Sequence, residues 1–166
     1  RSQQANHGLH DVLRVDGSGN EYILFSNDDD AGTTGSAYLS SFDSDGFTVN
    51  NNTSGNNNNS NYVAWNWKAG AVPTTDNSAS AGATPTAGSV KIDGSNLGSA
   101  LAGSIAATRL TANTTAGFSI VTYPGGAGTV AHGLGVAPKL VLQKKHDSSG
   151  DWLSYTSAFD STADAI

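Results

Sequence analysis

The chain has 166 residues, enough for one ordinary domain, and a formal charge of −6 from 14 acidic and 8 basic side chains, with an isoelectric point near 4.8. Eight lysines and arginines cannot clad a phosphate-binding surface, which argues against a nucleic-acid partner. No apolar run approaches the ~20 residues that span a bilayer, so no membrane helix is expected.

Charged residues make up only 13% of the chain, where a typical soluble domain has roughly 25%. Gly, Ser, Thr and Asn take their place, with Gly alone at 20 positions. These residues favour turns and penalise helices, Gly by ~1 kcal/mol relative to Ala. The apolar residues come as short islands rich in β-branched and aromatic types, the profile of an all-β protein with long loops. There is no cysteine, hence no disulfide framework and no thiolate site. No signal peptide is visible. The opening Arg1 and the ending "STADAI" read as a piece of a longer polypeptide.

Short alternating runs predict nine strands. In chain order they are "EYILFS" (21–26), "AYLSSF" (37–42), "GFTVN" (46–50), "NYVAWNWK" (61–68), "GSVKID" (88–93), "GFSIVTY" (117–123), "GTVAH" (128–132), "PKLVLQKK" (138–145) and "DWLSYTS" (151–157). Turn chemistry separates them at "DGSGN" (16–20), "DSDG" (43–46), "YPGGAG" (123–128) and "DSSG" (147–150). Nine short strands with such turns suggest a β-sandwich or jelly-roll-like architecture. Residues 71–87, "AVPTTDNSASAGATPTA", read as a Gly/Ser/Thr-rich linker, because small hydroxylated residues bury too little surface to offset the entropy of ordering. The stretch 95–110 is ambiguous. Leu97, Leu101 and Ile105 recur every four residues, as on a helix face, but Gly94, Gly98 and Gly103 suit a turn or a docked extended segment as well.

Two of the three tryptophans stand two residues apart in "NYVAWNWK". On a strand, Val63, Trp65 and Trp67 point one way, and Tyr62, Ala64, Asn66 and Lys68 the other. Burying two indoles removes several hundred Å² from water, worth several kcal/mol at ~25 cal/mol per Å². A chain with few large apolar residues is expected to spend them on its core, together with Phe47, Phe118, Tyr123 and Trp152. The alternative is an exposed ligand platform, for a sugar for example, drawn from Trp65, Trp67, Trp152 and Tyr155, with Tyr62 as a further candidate.

Other chemistry has thin support. The acidic runs Asn27–Asp30 and Asp43/Asp45 offer oxygen ligands of the kind Ca²⁺ prefers, but they lack the spacing of a calcium loop and read first as turns. His7, His10, His132 and His146 are dispersed, so no metal site is assigned. No G-x-S-x-G elbow occurs. Glu21 is the only Glu, and the Asp residues lie in turn-like contexts, so no carboxylate pair for glycoside cleavage stands out. "GSGN" and "PGGAGT" precede no predicted helix, which removes the phosphate-loop and dinucleotide readings. No catalytic residue and no cofactor is expected, and the chain reads as a non-enzyme.

The strings "DSDGFTV…NYVAWNWKAG" and "TANTTAGFSIVTYPGGAGTVAHGLGVAPKLVLQKK" resemble an uncharacterised β-domain family of structural proteins from tailed marine bacteriophages. In that family "GFSIVTY", "HGLGVAPKLV" and "DW…Y" strands open a domain, and "DGFTV" and "YVAW.WKAG" strands close it. The resemblance implies that residues 1–70 are the later part of one β domain copy. Residues 71–116 then form a linker holding a short strand or helix, and 117–166 open a second copy. It further implies a structural subunit of a virion appendage, a tail fibre or head fibre, placed in the extracellular particle. Its partners would be other virion proteins and copies of itself, as a homotrimer, with host attachment as a further role. The alternative function is a carbohydrate-binding, lectin-like adhesin module that docks on a host surface glycan.

Overall fold

In the computed structural model, residues 6–14, 21–34, 38–50, 56–58 and 60–157 are described, and no helix forms among them. The strands are β1 (Gly8–Leu9), β2 (Tyr22–Phe25), β3 (Thr33–Thr34), β4 (Leu39–Asp43), β5 (Gly46–Val49), β6 (Val90–Ile92), β7 (Ser95–Asn96), β8 (Arg109–Asn113), β9 (Phe118–Thr122), β10 (Leu140–Lys144) and β11 (Trp152–Thr156). The chain is all-β, as its composition implies. Its sheets are small: β1-β2-β3, β7-β6-β8-β9, and the hairpins β4-β5 and β10-β11.

The chain divides into two compact units, one formed by residues 1–64 with 139–166, the other by 65–138. This differs from the expected division at 70/71 and 116/117. In the first unit the segments 25–32 and 144–152 are knit together by hydrogen bonds of long sequence span. Trp152 Nε1 donates to the Phe25 carbonyl at 2.9 Å, and Gly32 N to the His146 carbonyl at 2.8 Å. Lys144 spends all three ammonium donors on the carbonyls of Asp29 (3.1 Å), Asp30 (3.0 Å) and Lys145 (2.9 Å). Of the strings read as the close of one copy, "DSDGFTV" lies in this unit, with "KLVLQKK" and "DW…Y" from the opening of the next, whereas "GFSIVTY" and "HGLGVAP" lie in the second unit. Leu13, Ile23 and Leu24 are buried here. Arg14 is buried too, with Nε donating to Asp11 Oδ2 at 2.6 Å and Nη2 to the Leu9 carbonyl at 3.0 Å. Asp11 Oδ1 also accepts the backbone N–H of Leu13 and Arg14, which closes the turn.

The second unit holds the larger core: Val90, Leu101, Ala107, Leu110, Ala112 and Leu134, flanked by Ile92, Leu97, Val121 and Ala131. β8 is its centre, parallel to β6 and antiparallel to β9. Leu110, Thr111 and Ala112 are all buried, so both faces of this strand are covered. The Leu110 and Ala112 face meets the 132–135 loop. There a Cβ on Gly133 (φ +73°) would lie 3.0 Å from Leu110 Cδ2 and 3.1 Å from Ala112 Cβ. The Thr111 face meets the chain leading in from Trp67. Thr111 Oγ1 donates to the Ala71 carbonyl, and a side chain at Gly70 would strike the Ala112 carbonyl at 2.6 Å. The β6–β7 turn carries Asp93 (φ +49°) and Gly94 (φ +88°), the signature of a tight hairpin with both central residues left-handed.

The segment expected to be a linker is part of this unit. Thr74 N donates to the Gly88 carbonyl and Asn77 N to the Thr108 carbonyl, each at 2.9 Å. Asn77 supplies the rest from its side chain: Nδ2 to the Ala107 carbonyl, with Oδ1 accepting from Ala79 N and Thr86 N, all at 3.0 Å. Pro73 and Pro85 are buried. One amide side chain thus replaces the apolar burial the segment lacks. The stretch 95–110 resolves as β7, a crossover and the start of β8. The crossover is held by bonds from Ser104 N and Ile105 N to the Thr129 carbonyl. The expected strand at 128–132 reduces to bridges at Val130.

Candidate functional site

The strand expected over 61–68 does not form. Residues 61–69 run without turn or bend, and none of their backbone N–H or C=O groups makes a hydrogen bond among the described residues. Tyr62 Oη accepts from Asn57 N at 2.7 Å. Trp65 is 73% exposed, Val63 71% and Trp67 60%, which overturns their expected place in a core. Phe47 is exposed as well, whereas Phe118, Tyr123 and Trp152 are half-buried. The reason is size: the core of the second unit is closed by Ala107, Ala112 and aliphatic side chains, tightly enough that a methyl group added at Gly133 would lie 3.0 Å from Leu110 Cδ2.

Trp67 nevertheless has a fixed seat. Its ring lies on that of Phe118, centroids 5.9 Å apart and planes 17° apart. Phe118 projects from β9 on the Thr111 face, paired with Asn113. An unbent run alternates its side chains, so Val63, Trp65 and Trp67 share one side of the segment. The other two platform candidates lie on β11 in the first unit. Trp152 stands opposite Lys144 and Tyr155 opposite Val141 in the register of the hairpin. Their positions have opposite parity, which puts them on opposite faces of the two-stranded sheet. They do not form one platform.

The β10–β11 hairpin is the second unusual surface. Leu140, Val141 and Leu142 on one strand and Leu153 and Tyr155 on the other are all exposed. A two-stranded sheet with apolar residues on both faces is marginal in water without cover. The β4–β5 hairpin also exposes large apolar side chains, Phe42, Phe47 and Val49, on one of its faces. None of these exposures was visible in the sequence, where the same alternation reads as a half-buried strand.

The acidic run gathers. Asp28, Asp29 and Asp30 place one carboxylate oxygen each within 4.8 Å of one another, the only such group of three among the described residues. Asp28 and Asp29 border an open groove of about 620 Å³ lined also by Ser26, Asn27, Asp151, Trp152 and Leu153. Asp28 Oδ1 accepts Asp30 N at 3.1 Å, and the carbonyls of Asp29 and Asp30 are clamped by Lys144. These bonds are turn chemistry. At the other acidic turn, Asp43 accepts from Ser41 Oγ and Thr48 Oγ1, again within a hairpin; Asp45 is exposed.

The histidines stay dispersed. His10 Nδ1 meets Glu21 Oε1 at 3.0 Å, His132 Nδ1 accepts Leu134 N, and His146 packs edge-on to Tyr22. Asp93 carries its carboxyl at the β6–β7 turn, beside Thr114. The Thr114 hydroxyl, and after it the Thr114 backbone N–H, hold it below its ordinary value of 3.8. This ties the β6–β7 turn to the β8–β9 turn and serves the fold.

No helix among the described residues is long and apolar enough to cross a membrane. Neither a curated protein nor a solved structure matches the chain. A family model covers it completely, over residues 1–166, and the chain belongs to that family, described as a domain of unknown function (DUF7483).

Proposed function

We propose that the chain is a non-enzymatic structural module of a phage virion appendage, a tail or head fibre, that works by assembling with copies of itself. The observation that carries this reading is the β10–β11 hairpin, a two-stranded sheet with five large apolar side chains in water. A surface of that kind is stable when a neighbour covers it. The scarcity of charged side chains, 13% of the chain, supports the same reading, since few like charges need meet at a contact. The virion setting rests on the resemblance of "DSDGFTV", "GFSIVTY" and "HGLGVAPKLV" to phage structural domains. The test is the mass of the purified chain by light scattering across a hundredfold range of concentration. A trimer is expected, and a monomer at every concentration refutes the proposal.

One observation favours a second reading, a glycan-binding module. Trp67 is braced on Phe118 and still 60% exposed, as a stacking platform for a sugar ring requires. Titration with a panel of neutral oligosaccharides, followed by tryptophan fluorescence, separates it from the first.

A further inference from the structure

We infer that residues 61–68 are a strand donated to the β10–β11 hairpin of a second copy of this chain. The inference rests on the assembly reading above and goes further by naming the two surfaces that meet. The first observation is a conflict between local sequence and local structure. "NYVAWNWK" has the composition and the period-two alternation of a strand, yet its backbone finds no partner among the described residues. Such a run lacks a sheet.

The second observation is the converse. β10–β11 is a sheet of two five-residue strands joined by no third strand among the described residues, with Leu140, Val141 and Leu142 exposed in succession along β10. Donor and acceptor have matching deficits and comparable lengths, and both belong to this chain. Addition of a strand to an open sheet edge is an established mode of recognition, with the backbone ladder giving affinity and alternate side chains giving specificity.

Charge and area point to a second copy as the occupant. Lys68 is the only charged residue of 61–68, and Lys144, already bound to three carbonyls, is the only one in β10 and β11. The chain's net negative charge therefore does not oppose this contact. At 73% and 60% exposure, Trp65 and Trp67 leave on the order of 300 Å² in water, which Tyr62 and Val63 raise to about 500 Å². A stable interface buries about 800 Å² per partner. Each copy both donates a strand and accepts one, so donor and hairpin together reach that figure. Donation around a ring closes the assembly and leaves no segment unpaired.

The experiment uses the full chain with Asn66→Pro and, separately, Asn66→Cys. The proline removes a ladder donor from a segment that is unpaired among the described residues, so the fold of each copy stays intact, which circular dichroism checks. Oligomer dissociation is expected to become at least about tenfold easier. Since the chain has no cysteine of its own, a spin label on Asn66→Cys is unique. Mixed with an isotope-labelled, unlabelled-thiol copy, it should broaden the amide signals of 140–144 in that second copy. An oligomer that keeps its affinity with Asn66→Pro and shows no broadening at 140–144 overturns the inference and leaves the assembly reading standing. A chain that is monomeric at every concentration removes both. A fluorescence change on adding cellohexaose to dilute protein, with no broadening between copies, assigns the segment to a sugar instead.

Discussion

Replacing Asn77 with Ala tests whether one amide holds the whole segment 71–87 in place. The change leaves the backbone bond from Asn77 N to Thr108 untouched and deletes three others, one to the Ala107 carbonyl and two from Ala79 N and Thr86 N. Each such bond contributes about 1 kcal/mol net, and water reaches a half-buried site, so the expected loss is about 2 kcal/mol. For a unit of this size 1 kcal/mol moves Tm by about 4–8 °C, which sets the expected drop near 10 °C. Calorimetry of the purified chain measures it. Elastase provides a second readout, because residues 78–87 are nearly all small and contain no Lys or Arg. The variant should be cut there while the parent chain resists. Asn77→Asp separates the contributions, since it keeps the acceptor and sets an oxygen against the Ala107 carbonyl. A variant that melts within 2 °C of the parent and resists elastase would falsify the account of Asn77 as the organiser of this segment.

Other consequences can be measured alongside. Gly133→Ala adds a methyl group in tight contact with Leu110 and Ala112 at a left-handed φ. Urea unfolding should show a loss of about 3 kcal/mol, and a loss below 1 kcal/mol means the loop yields. Asp11→Ala strands the buried Arg14 guanidinium and frees two backbone donors, a loss of about 3 kcal/mol that Asp11→Ala/Arg14→Met should partly recover; no recovery would place the effect in the turn instead. Asp93 has a folded pKa below its unfolded value, so its contribution is present in full above pH 3.8 and is lost as the pH falls through the lower folded value. Asp93→Asn keeps the left-handed turn and should flatten that part of the acid melting profile; an unchanged profile refutes the assignment.

Much of the strand pattern was legible in the sequence, because it depends on neighbours two residues apart. "GFTV" after "DSDG", "FSIVT", "LVLQK" and "WLSYT" form strands where alternation and turn residues place them. What failed depended on partners far along the chain. Nothing near Asn77 announces that its amide will meet Ala107, thirty residues on. The start of β8 lay hidden at the end of a stretch whose Leu97, Leu101 and Ile105 spacing imitates a helix face, because its role comes from parallel pairing with β6. The tryptophans misled for a related reason. Their value in a core is real, but the core of the second unit closes with Ala107, Ala112 and a glycine where an indole has no room. Of the four aromatic site candidates, Trp65 and Trp67 do stand together in solvent, whereas Trp152 and Tyr155 take opposite faces of one hairpin.

The interrupted path of the first unit sets an order of events during synthesis. The second unit is contiguous, residues 65–138, and can fold as soon as it leaves the ribosome. The first unit cannot, because Phe25 must wait for Trp152 and the carbonyls of Asp29 and Asp30 for Lys144, bonds that span 114 to 127 positions. Until then β2 and the 27–32 loop have only their nearest neighbours, while a finished second unit sits between them and their late-arriving partners in the chain. A nascent chain stalled before residue 139 should therefore carry one protease-resistant unit and one sensitive segment. The competence to assemble would appear only with the last hairpin.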